Sequence, residues 1–259
     1  MKNLKLEIKG NIDKNNFFYF ENIGKREYME DRSIIYKDDF IQFYAILDGH
    51  GGSAVVDFVQ NYLFDFIRQH NFKKLYQQYL KQKIKRQQTV NAMKNIFKEL
   101  QKEIYKQVQQ KFQNKDSSGD SALYRFSKSR GLIMLNKQDV IGEKQEQKII
   151  KNGGWVQDNR VCGKLQMARS IGDLDVQKFM DYKFTSIVEK KKKKQQLFIL
   201  CSDGLSDIFE YDQNLKKNCW NKLCQTLNQE CTVKYLTKLI KDQIQNQIDD
   251  NISFIIFFC

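Results

Sequence analysis

The sequence predicts one α+β domain spanning residues 1–259, with sheets at its core and helices outside. Three observations point there. Apolar runs rich in β-branched and aromatic residues open the chain, recur in its middle and close it. Between them lie blocks whose apolar residues recur at helical spacing. No internal repeat and no Pro/Gly/Ser-rich linker divides the chain.

The runs 16–20, 32–36 and 40–47 read as strands, and Lys37-Asp38-Asp39 makes the second and third a hairpin. The period then changes: Ala54, Val55, Phe58, Val59, Tyr62, Leu63 and Phe66 mark an amphipathic helix. A charged helical region covers 72–112, with a break near 86–89. Met93, Ile96, Phe97, Leu100, Ile104, Val108 and Phe112 form its buried face. Strands follow at 122–126 and 131–135, and a helix at 143–151 that ends on Gly153-Gly154. A short apolar strand at 197–201 runs into Ser202-Asp203-Gly204. Helices are expected at 213–227 and 232–247, and a buried strand at 251–258.

Hydrophobic residues make up 41% of the chain and aromatics 13%, enough for a real core and too much for global disorder. The net charge of +13 is spread along the sequence, its one dense run being Lys190 to Lys194. No zinc-finger or basic-zipper pattern accompanies it, so no nucleic-acid role is expected. None of the six cysteines forms a Cys-x-x-Cys pair. The start lacks a secretory apolar stretch, and no apolar run reaches the roughly 20 residues that span a bilayer. Lys2 excludes N-myristoylation. The expectation is a reduced intracellular protein of the cytoplasm and/or nucleus, off the membrane.

Acidic residues cluster where strands begin or end. Glu30-Asp31 precede one strand, Asp48-Gly49-His50-Gly51-Gly52 follows another, Asp203-Gly204 follows 197–201, and Asp250-Asn251 precede the last. Mg²⁺ and Mn²⁺ want several converging oxygen ligands, and strand ends on one sheet edge are a rigid place to gather them. Taken singly, each Asp-Gly pair reads as a turn, Glu30-Asp31 as a solvated hairpin shoulder, and Arg169 with Asp173 as a buried ion pair. Asp207 reads as a helix-side acid and His70 as a helix-end surface residue.

At these residues the chain resembles the metal-dependent protein phosphatases of the type 2C class. The matching strings are Arg26-x-x-Met29-Glu30-Asp31, Asp48-Gly49-His50-Gly51-Gly52, Gly119-Asp120-Ser121 and Gly153-Gly154. Arg160-Val161-x-Gly163-x-Leu165, Arg169-Ser170-Ile171-Gly172-Asp173, Asp203-Gly204-Leu205-Ser206-Asp207 and Asp250-Asn251-Ile252 follow in the family's order.

The resemblance implies a β-sandwich of two mainly antiparallel sheets in α-β-β-α layers. It implies two Mn²⁺ or Mg²⁺ ions and a further, weaker one. Asp48 would bridge two ions, with the Gly49 carbonyl on one of them. Asp203 and Asp250 would hold one ion, Glu30 the other, and Asp120 would serve the weaker site. Arg26 would grip the substrate phosphate and His50 would protonate the leaving alcohol, with Asp31, Arg169 and Asp173 as support. Arginine suits bidentate contact with phosphate oxygens, and imidazole titrates near neutral pH. The implied activity is hydrolysis of phosphoserine and phosphothreonine in proteins, by a monomer acting on phosphorylated proteins.

The chain departs from the pattern in one place above all. Only 113–118 separates the long helix from Gly119-Asp120-Ser121, where the family carries a small-residue motif and about two more core strands. In a second register, Ser118 to Ala122 falls on the small-residue motif and Asp120 is no ligand. Ala122 stands where the family usually has Arg, Cys162 where it usually has Asn, and 173–189 is short. A phosphoprotein-binding pseudophosphatase is therefore the alternative to an active enzyme.

Overall fold

The computed structural model describes residues 17–37, 42–81, 83, 85–111, 117–119, 121–127, 131–135, 141–167, 170–173, 175–180, 196–211, 214, 217 and 249–258. The strands are β1 (Phe17–Asn22), β2 (Arg32–Lys37), β3 (Gln42–His50), β4 (Ser117–Gly119), β5 (Ser121–Ser127) and β6 (Gly131–Met134). After them come β7 (Val156–Gln157), β8 (Arg160–Val161), β9 (Ile171–Gly172), β10 (Leu197–Ser202) and β11 (Ile252–Phe258). The helices are α1 (Ala54–Gln69), α2 (Phe72–Leu80), α3 (Arg86–Lys111), α4 (Glu143–Lys151) and α5 (Asp203–Tyr211).

One sheet has the order β1-β11-β10-β5-β6 and a second the order β2-β3-β4-β9, with β7 and β8 forming a separate ribbon. Every pairing among them is antiparallel. The sheets meet face to face. Tyr44 of β3 stacks on Phe257 of β11 at 4.4 Å between ring centroids and lies 5.8 Å from Phe17 of β1. The expected α+β sandwich is the architecture found.

Period-two alternation explains how β3 serves two layers. Phe43, Ala45 and Leu47 belong to the cluster formed with the helices, while Tyr44 reaches the other sheet. Val55, Val56, Val59 and Leu63 of α1 and Ile96, Leu100 and Ile104 of α3 fill that cluster with Ile34 and Leu47. Of the apolar face expected of the long helix, Ile96, Leu100 and Ile104 are buried with Met93 and Phe97 packed against them, while the side chains of Val108 and Phe112 lie outside the described residues. α2 ends at Leu80 and α3 starts at Arg86, so the break comes about one turn earlier than the sequence suggests. Residues 252–256 of β11 are buried without alternation, as befits a strand covered on both faces. Cys162 and Cys201 are free thiols. No described helix is long and apolar enough to cross a membrane. Of the helices expected at 213–227 and 232–247, only residues 214 and 217 are described, both helical; the rest lie outside the described residues.

Candidate metal and phosphate site

Strand direction brings the acidic motifs to one end of the sandwich. β10 and β11 pair antiparallel, so the end of β10 at Ser202 lies beside the start of β11, next to Asp203 and Asp250. β1 pairs β11 with Asn22 opposite Ile252, so the chain leaves β1 at that same end. β2 pairs β3 with Arg32 opposite Leu47, which sets Glu30 and Asp31 beside the end of β3 at Asp48. The Asp203 backbone N–H donates to Asp48 Oδ2 at 3.3 Å and links the two sheets.

Neither Asp-Gly pair is a turn. β3 continues through Asp48 and Gly49 to His50, and α5 starts on Asp203, where a carboxylate favours the helix N-terminus. The glycines serve the backbones of distant segments. A Cβ at Gly49 would lie 2.4 Å from the Glu30 carbonyl oxygen, and one at Gly204 2.1 Å from that of Asn251. Only glycine lets these segments close on one another.

The carboxylates are crowded and poorly hydrated. Asp31 is 2% exposed, and its Oδ2 has no hydrogen-bond partner. Burial pushes its pKa up to about 7, with the nearby charges of Asp203 and Asp250 adding to the effect. The Ser202 and Ser253 hydroxyls oppose that rise, yet leave Oδ2 without a sound hydrogen bond. Asp48 is held well above the usual carboxylate range by burial first and then by the charges of Asp203 and Asp31. Asp203 is raised by burial, and the charge of Asp250 pushes the same way.

Basic and polar groups frame this acid cluster. Arg26 Nη2 donates to Asp250 Oδ2 at 2.5 Å, and this hydrogen bond raises the guanidinium pKa. His50 Nε2 lies 3.3 Å from Asp173 Oδ1, and Ser170 Oγ donates to Asp173 Oδ2 at 2.5 Å. Asp173 is buried and holds a left-handed backbone at φ 45°, so its carboxylate faces His50 from a fixed position. Asp207 is an exposed acid on α5, as expected. His70 follows α1, with Nε2 3.7 Å from Glu99.

Asp120 and Arg169 lie outside the described residues. Beside position 120 in the chain, β4 pairs with Asp48–His50 and β5 with Phe198–Ser202. The sequence assigned no role to Asn251, Ser170, Ser202 or Ser253. The signals for Asn251 were its place between Asp250 and a buried strand and its membership of the matching string Asp250-Asn251-Ile252.

The donor set fits a hard divalent cation: it offers carboxylate and carbonyl oxygens with no thiolate among them. The unpartnered Asp31 oxygen and the raised pKa values mark negative charge without a counterion. Among the described residues, no three His, Cys, Asp or Glu side chains close into a finished cage.

The protein phosphatase 2C family model matches residues 17–216. The chain belongs to that family. Protein phosphatase 2C 1 of Paramecium tetraurelia is 26% identical over 84% of this chain and 75% of its own length. Across the curated relatives it matches, the chain spans 60% to 75% of their length. Among solved structures, a serine-threonine phosphatase 2C from Toxoplasma gondii superposes with a TM-score of 0.72 at 20% identity, covering 94% of both chains. The catalytic domain of the serine/threonine phosphatase PstP, solved with two manganese ions, has a TM-score of 0.54 at 15% identity, covering 93% of this chain and 97% of its own.

Proposed function

We propose that this phosphatase 2C chain hydrolyses phosphoserine and phosphothreonine in proteins with the help of Mn²⁺ or Mg²⁺. One observation carries the reading: Asp48, Asp203, Asp250 and Glu30 reach one end of the sandwich together with Arg26 and His50. Asp48, the Gly49 carbonyl, Asp203, Asp250 and Glu30 would hold two ions, and Asp120 a further, weaker one. When bound, the cations supply an acidified water and neutralise charge on the phosphate. Arg26, exposed at the site's mouth, grips the phosphate oxygens. His50, held by Asp173, gives its proton to the leaving alcohol. The manganese-bound PstP domain shares this fold and supports the choice of ion. The reading takes residues 1–259 as one domain, acting as an intracellular monomer on phosphorylated proteins, with no role on nucleic acid or membranes.

A regulatory module that binds phosphoproteins without hydrolysis is the second reading. The short stretch of sequence between the long helix and Gly119-Asp120-Ser121, residues 113–118, favours it.

The test is hydrolysis of a phosphothreonine peptide with Mn²⁺, with and without EDTA. Turnover should vanish in EDTA. In Asp48→Ala it should fall by more than the roughly hundredfold that loss of an outer-shell partner costs. A folded chain with no metal-dependent turnover would overturn the enzyme reading in favour of the regulatory one.

A further inference from the structure

The segment 23–30 between β1 and β2 is strapped to the residues just before β11. Three consecutive residues do the strapping. Asp249 pairs with Lys25 and Asp250 with Arg26, both on the exposed side. Asn251 works beneath them and is 4% exposed. Its Nδ2 donates to the carbonyls of Ile23 at 2.9 Å and Tyr28 at 3.0 Å, and its Oδ1 accepts the Glu30 N–H at 2.7 Å. Its own N–H donates to Asp250 Oδ1 at 2.7 Å.

We infer that Asn251 is a positioning residue, which holds Arg26 and Glu30 in register with Asp250. The inference rests on the proposed roles of Arg26 and Glu30. The chemistry selects asparagine. Two carbonyls and one N–H must be met by one short side chain, and a primary amide alone offers two donors beside an acceptor at that length. The exposed ion pairs at Lys25 and Arg26 are too weak to fix the strap. The buried amide fixes it at three backbone points, on both sides of Arg26 and at Glu30 itself. Asn22 adds to this, because its Oδ1 accepts the Gly24 N–H at 2.8 Å and shapes the turn into the strap.

Asn251→Asp keeps the acceptor and removes both donors. Its Mn²⁺ dissociation constant, read by calorimetry, and its KM for the phosphothreonine peptide should each rise by about ten- to a hundredfold. The change in KM should exceed that in kcat, since Arg26 grips the ground state. Ile96→Val, which trims the α3 core, supplies the control: where it lowers the melting temperature equally, it should leave both constants within about twofold. Equal constants in the two variants would overturn the inference.

Hydrogen exchange on the unaltered chain gives a reading that does not depend on the variant folding. The Glu30 amide should exchange at least about tenfold more slowly than that of exposed Glu27. Equal rates would mean that Asn251 does not hold the strap. If the unaltered chain turns over no peptide, the phosphatase reading fails, and the Mn²⁺ and exchange measurements still judge Asn251.

Discussion

Two regions of this molecule, both buried, are built from opposite materials. Where α1 and α3 cover β2 and β3, Val55, Val56, Val59, Ile96 and Leu100 are fully buried among apolar neighbours. That region is stabilised by removing apolar surface from water. At the carboxylate end, Asp31 is buried almost as deeply, with one oxygen unpartnered and the charges of Asp203 and Asp250 close by. Burial there raises the free energy of the ionised form. The contrast teaches that the site is held in place by the rest of the fold, and that its repulsion is relieved by whatever brings positive charge.

The contrast can be tested most strongly through pH. Asp31 has a pKa of about 7 in the fold against an ordinary 3.8, so between those values the folded chain keeps a proton that the unfolded chain has released. Stability should therefore fall as pH rises from about 4 to about 7, by up to about 4 kcal/mol for this group. Asp48 and Asp203 act in the same sense, since both are raised. In EDTA the chain should melt higher at pH 5.5 than at pH 8, and Asp31→Asn should melt higher than the unaltered chain at pH 8. Identical melting of the two chains at pH 8 would show that the Asp31 charge is not a burden.

Leu100→Ala probes the apolar region. Leu100 has no solvent exposure, so truncation should cost about 3 kcal/mol by lost burial and a residual cavity. Mn²⁺ affinity measured below the melting transition should be unchanged. A shift in affinity would mean that the two regions are mechanically coupled. Gly204→Ala asks the reverse question. The added methyl would sit 2.1 Å from the Asn251 carbonyl, and the 249–251 segment must move. A cost of about 1–3 kcal/mol is expected, together with weaker Mn²⁺ binding. Unaltered binding would show that Asp203 and Asp250 need not be held close.

The same division governs what could be read in the sequence. Elements with a long period were legible: the helix expected at 143–151 is α4, and the stripe through Ile96, Leu100 and Ile104 is the buried face of α3. β4, β7, β8 and β9 have two or three residues each and carry no period to detect. The site's membership was legible as a list of acids at strand ends. Its joints were not. Gly49 and Gly204 look locally like turn residues, and their purpose depends on backbones at Glu30 and Asn251 that only the fold brings near. Asn251 makes its contacts across more than two hundred residues of sequence, where no local pattern can show them.

Arg26 sharpens the comparison at the smallest scale. Its pair with Asp250 is exposed, with 54% and 39% of the two side chains open to solvent, so Arg26→Ala should change stability by less than about 1 kcal/mol. Its effect on ligands should be larger and split in sign. If Asp250 holds a divalent cation as proposed, Arg26 and that cation would compete for its carboxylate. Removing the guanidinium should then tighten Mn²⁺ binding, by at most about fivefold if the pair is worth about 1 kcal/mol. The same change should raise KM for a phosphothreonine peptide, because the phosphate loses its fork of donors. Calorimetry with Mn²⁺ and steady-state kinetics on one preparation measure both. If Mn²⁺ binding weakens instead, Arg26 holds Asp250 in place for the cation, and the carboxylate end is as dependent on pre-set order as the apolar face.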